Sequence, residues 1–102
     1  MAAAKTARRT YAVSSNQLFG ICITALGQLR ATIERHDVDQ GIISAAFGAG
    51  SLAPTSDLSL VLRPLGEGQT ELLATWRARK RAGDRRLPAL FLEAVDTLIR
   101  QA

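Results

Sequence analysis

Leu58, Leu60 and Leu62 alternate strictly with Ser59, Val61 and Arg63. A period of two puts every second side chain on one face of an extended chain, so this run is a strand with one buried side. Such a strand needs neighbours in a sheet and a second layer over its leucine face. Pro64-Leu65-Gly66-Glu67-Gly68 reads as a hairpin connection. A further strand follows over residues 70–77, with Leu72, Ala74 and Trp76 turned to the core.

The same reading extends to the rest of the chain. Residues 9–13 alternate as a first strand, with Tyr11 and Val13 on one face. Ser14 and Gln17 have capping-box spacing, since each side chain can satisfy an orphan amide at a helix start. Leu18, Cys22, Ala25, Leu26 and Leu29 then form an apolar stripe at helical spacing, which ends near Leu29. Residues 31–38 read as a second strand with Ile33 inward, Asp39-Gln40-Gly41 as a tight turn, and residues 42–47 as a third strand. Residues 48–56 are a loop of small residues. Pro88 opens a last helix whose buried stripe holds Phe91, Val95 and Leu98, with Leu87 and Ile99 beside it.

The order is β-α-β-β-β-β-α, which implies an α+β two-layer sandwich. A five-stranded antiparallel sheet in the order 1-5-4-3-2 carries both helices on one face. Residues 1–8 are expected to be a flexible lead-in and residues 9–102 the single domain. This element order, with the run over residues 57–68, resembles the β-α-β4-α layout of TATA-binding-protein-like domains. It is also similar to the small helix-grip domains of bacterial lipoproteins and uncharacterised bacterial proteins. The resemblance implies a fold and carries no site residues, because one fold hosts many functions.

With 47% hydrophobic and 22% charged residues, the chain has the balance of a globular domain. A chain of 102 residues has room for one modest core and little room for a large cavity. The lone Cys22 rules out an internal disulfide and reads as a small buried hydrophobe. Residues 1–10 carry positive charge without an apolar stretch, so they form no intact signal peptide. The expected location is the cytoplasm unless a leader has been removed.

Charge is uneven. Residues 1–14 carry +3 and residues 77–86 carry +5, while the rest sums to −4, giving the net +4. The expected topology gathers Arg8, Arg9, Arg77, Arg79, Lys80, Arg81, Arg85 and Arg86 at one pole, beside the small-residue loop. Such a pole suits an anion or the phosphates of nucleic acid. A second candidate surface is the sheet face without helices. Val61, Leu73 and Thr75 fall there, with Ile43 or Phe47 as neighbours depending on register.

Chemistry has little to build on. His36 has Glu34, Asp37 and Asp39 near it, but a second histidine or cysteine ligand is missing, so a solvated strand end is the reading favoured. Neither Gly48-Ala49-Gly50 nor Gly66-Glu67-Gly68 has the context of a phosphate loop. No catalytic residue, metal ligand or cofactor is expected. The leading expectation is a non-enzymatic interaction or structural domain that presents its open sheet face to a protein partner or a second copy. The alternative is anion or nucleic-acid binding at the basic pole. A third is a small-ligand or enzymatic role in a groove formed with a partner chain.

Overall fold

The computed structural model describes residues 4–48, 56–78 and 87–101. Its elements are β1 (Ala4–Tyr11), α1 (Ser15–Gln28), β2 (Thr32–Asp37), β3 (Ile42–Phe47), β4 (Ser56–Gly66), β5 (Gln69–Ala78) and α2 (Leu87–Gln101). The strands form one sheet in the order β1-β5-β4-β3-β2, with every neighbouring pair antiparallel. The expected α+β architecture is therefore the observed one.

Alternation decides which face is covered. Leu58, Leu60 and Leu62 of β4 sit opposite Trp76, Ala74 and Leu72 of β5, and all six are buried. Ile43, Ala45 and Phe47 of β3 continue these rows. Both helices close over this face, α1 through Leu18, Cys22, Ala25 and Leu26 and α2 through Phe91 and Val95. Burying a large apolar side chain fully contributes about 1.5–3 kcal/mol. That gain docks two helices too short to persist alone in water.

The ends of α1 are set locally. The Ser14 hydroxyl accepts from the Gln17 amide at 3.2 Å, so the first half of the expected capping box is formed. At the other end the Arg30 amide donates to the Gly27 carbonyl and the Ala31 amide to the Leu26 carbonyl, at 3.1 and 2.9 Å. This is a Schellman closure, which needs a left-handed residue, and Arg30 supplies it at φ 58°. A side chain there is mildly strained. Arg30→Gly is therefore expected to raise stability by about 1 kcal/mol, read from the urea midpoint at unchanged slope.

The first strand differs from expectation. It covers Ala4–Tyr11 instead of residues 9–13, and residues 4–8, placed ahead of the domain on sequence grounds, pair with β5. Val13 has left the ladder, and its carbonyl accepts from the Thr70 hydroxyl at 2.9 Å in the bend before α1. Ala and Lys are poor strand formers, so local propensity hid residues 4–8; pairing along β5 overrides it. The second strand keeps its place but carries a register shift between Ile33 and Arg35.

Candidate functional site

Residues directly opposite in an antiparallel pair share a face, so the register sorts every strand side chain. On the helix side, Trp76 lies between Lys5 of β1 and Leu58 of β4. Phe47 stands at the end of β3, opposite Ser56, which is buried at the start of β4. The Phe47 and Trp76 rings are 5.4 Å apart and tilted by 39°. Phe91 of α2 meets Trp76 edge-on at 6.0 Å. Three strand ends and the first turns of α2 thus converge on one aromatic cluster.

Trp76 is 5% exposed, and its Nε1 is a buried donor with no hydrogen-bond partner among the described residues. A buried donor left unpaired costs about 1–3 kcal/mol, so a folded protein rarely keeps one without a use. β1 is an edge strand, and its helix-side row is Lys5, Ala7, Arg9 and Tyr11. Lys5 and Arg9 are exposed in that row, beside buried Trp76 and Leu72. Lys5 is therefore the cation beside the aromatic cluster; Arg9, opposite Leu72, lies four residues or about 13 Å further along the strand.

Tyr11 marks the other end of the covered face, six residues along β5 from Trp76, or about 20 Å. Its buried hydroxyl makes no well-formed hydrogen bond, and Asp96 of α2 is the acceptor that acts on it. Burial first, and the Asp96 carboxylate second, hold the phenol well above its ordinary pKa, so it stays protonated. Cys22 is fully buried, and burial pushes its thiol up to about 12. It is a neutral core residue with no thiolate chemistry.

The earlier start of β1 redistributes the expected basic pole. Lys5 is the basic residue of β1 nearest Arg77, which pairs with Ala4. Arg8 and Arg9 lie further along the strand, opposite Leu73 and Leu72, and on opposite faces. Arg8 is on the open face with its Nε 3.7 Å from the Glu71 carboxylate. Arg77 shares the open face, opposite Asp57. Arg79, Lys80, Arg81, Arg85 and Arg86 lie outside the described residues, as does most of the small-residue loop.

Val61, Leu73 and Thr75 do share the face without helices, and Val61 sits directly opposite Leu73. Their apolar neighbour is Ile42; Ile43 and Phe47 belong to the covered side. His36 is on the covered side, where its ring meets Phe19 edge-on at 6.4 Å. Glu34 occupies the register shift and is exposed. Among the described residues no three histidine, cysteine or acidic side chains group to hold a metal ion.

Sequence reasoning missed the placement of Lys5 opposite Trp76 and the unpaired indole. Trp76 was legible as core, and the signal overlooked was its N–H, which a buried tryptophan normally pairs. Nothing in the composition says that no acceptor faces it.

No protein-family model matches the sequence, and no curated protein matches it. Solved structures do match. The di-domain ARO/CYC StfQ from the steffimycin biosynthetic pathway superposes with a TM-score of 0.69 at 14% identity. That match covers 96% of this chain and 44% of StfQ, so the chain spans less than half of that protein. An uncharacterised protein from Bacillus thuringiensis gives 0.65 at 7% identity, over 97% of this chain and 98% of that one. Norcoclaurine synthase from Thalictrum flavum, in complex with dopamine and hydroxybenzaldehyde, gives 0.50 at 10% identity, over 99% and 88%. At these identities the likeness is one of fold. It is the helix-grip, Bet v 1-like fold that these matches support; the TATA-binding-protein-like alternative gains no support from them. No helix among the described residues is long and apolar enough to cross a membrane.

Proposed function

We propose that the chain binds a small, flat, largely apolar molecule between its sheet and α2, at the Phe47, Trp76 and Phe91 cluster. The observation that carries this reading is the buried Trp76 Nε1, a donor without an acceptor in an otherwise apolar, aromatic setting. A ligand carbonyl, phenol or carboxylate oxygen supplies that acceptor. Lys5, directly opposite Trp76 on the adjoining strand, favours a ligand with an anionic group toward β1. Two structures sharing the fold support an aromatic ligand. StfQ is named as an ARO/CYC, and norcoclaurine synthase is complexed with two aromatic molecules.

Binding is the step this set of residues supports. Tyr11, the other buried donor without a partner among the described residues, is at the far end of the covered face and is held protonated. The reading moves the small-ligand option from a groove between chains to the interior of one chain.

Calorimetric titration with 2-naphthoate, and with 2-methylnaphthalene as the neutral counterpart, tests it. The naphthoate is expected to bind saturably and more tightly than the hydrocarbon. Replacing Lys5 by alanine is expected to weaken the naphthoate about tenfold and the hydrocarbon hardly at all. Equal affinity of the variant and the parent chain for naphthoate would count against the site, as would no saturable binding of either probe.

A further inference from the structure

The face turned away from the helices carries a row that crosses all five strands. Register pairs Arg8 with Leu73, Leu73 with Val61, Val61 with Ile42, and Ile42 with Asp37. The row therefore runs from a cation at one sheet edge, through three adjacent apolar side chains, to an anion at the other edge. Val61, at the centre, is 41% exposed. The next row holds Thr6, Thr75, Ser59 and Ser44, small residues that let another surface approach closely, and ends on Arg35 of β2.

We propose that this face is self-complementary and that a second copy of the chain docks on it. A twofold axis parallel to the strands and passing at Val61 exchanges left and right across the sheet. It sets Val61 against Val61 once, on the axis, and Leu73 against Ile42 and Arg8 against Asp37 twice. Arg63, exposed on the same face, meets its own copy on the axis, where the Glu71 beside it in each chain supplies the counter-charge. An isologous interface needs this property, because each patch must complement itself. The pairing also agrees with the near-aligned packing of two twisted sheets, at about 30°.

Both charged partners have capacity for it. Arg8 is 69% exposed, and its link to Glu71 is long and solvated, so it exchanges readily. Asp37 uses Oδ1 to accept from the Asp39 and Gln40 amides at the turn, and a carboxylate has a second oxygen to offer. Five strands about 4.8 Å apart and some six residues deep present roughly 500 Å² per copy. The total of about 1,000 Å² is at the lower limit for specific association, which predicts a weak, reversible dimer.

Sedimentation equilibrium on the full chain, from about 10 µM to 1 mM, is the test. The average mass is expected to rise from monomer toward dimer. Val61→Glu, at an exposed position on the axis, and Arg8→Glu are each expected to raise the dissociation constant at least about tenfold. Arg8→Glu with Asp37→Lys is expected to restore association. Within one chain, residues 8 and 37 are four strand spacings apart, about 19 Å, so rescue reports a contact between copies. Circular dichroism confirms that each variant is folded. A parent chain that stays monomeric at 1 mM overturns the proposal, and so does a dimer indifferent to Val61→Glu or a charge swap that restores nothing. Alanine at Lys5 and Arg9, which lie on the helix side, is expected to leave association unchanged.

Discussion

Phe91→Ala is expected to lower the unfolding free energy by about 3–5 kcal/mol, enough to leave a small domain near its folding limit. Phe91 is fully buried and, with Val95, is one of the two buried side chains of α2. Truncation removes its transfer free energy and also leaves a space that Trp76 and Phe47 only partly refill. Val95, the second anchor, is four residues on and on the same helix face. Valine to alanine removes far less buried volume than phenylalanine to alanine, so Val95→Ala is expected to cost less. Trp76 is the single tryptophan and meets Phe91 directly, so its fluorescence follows both unfolding and local repacking. A loss under about 1 kcal/mol in guanidinium would mean that α2 is held from elsewhere.

Gly41→Ala is expected to cost about 2–4 kcal/mol, although it adds one methyl group in a turn. Two effects add. Gly41 sits at φ 69°, where an L side chain is disfavoured by roughly 1–2 kcal/mol. A Cβ built there also lies 2.5 Å from the Leu62 carbonyl oxygen. That oxygen belongs to the backbone of a core strand, and the Leu62 amide donates to the Gly41 carbonyl at 2.7 Å. Neither strand can yield without breaking that link. Gly68 is the control: its φ is 71° but its Cβ would meet open space. Gly68→Ala is expected to cost only the backbone term, about 1 kcal/mol. Equal losses at the two glycines, read from thermal unfolding, would show that the close approach to Leu62 does not matter.

The fold was legible wherever side chains alternate or recur at helical spacing. Leu58, Leu60 and Leu62 named β4 and its buried face, and Leu72, Ala74 and Trp76 did the same for β5. The strand order followed from connection lengths and from the need to return across one face. The start of β1 was not legible, because nothing in Ala-Lys-Thr-Ala-Arg marks a strand until β5 pairs with it. That single shift moved Arg8 and Arg9 away from the end where Arg77 sits and put Lys5 there. Register was equally hidden. A slip of one residue exchanges Ile42 with Ile43, and with it the membership of core and open face.

The open face was recognisable as a class, since Val61 and Leu73 had to point away from the leucine row. Its charge symmetry needed every pairing from β1 to β2. The Trp76 site was less accessible still. Aromatic residues at core positions announce packing, whereas an indole without an acceptor is a fact about three strand ends and a helix together. The largest basic segment, residues 79–86, lies outside the described residues, and the cation beside the cluster is an edge strand's Lys5.

One tryptophan gives one indole resonance, and the ligand reading can be tested on that atom. In an amide spectrum of nitrogen-15-labelled chain, stepwise 2-naphthoate is expected to shift the Trp76 indole N–H peak downfield and to saturate, as a buried donor gains an acceptor. 2-Methylnaphthalene, which fills space without an acceptor, is expected to move it far less. An indole peak that neither compound displaces, while other resonances shift, would place binding elsewhere and contradict the site.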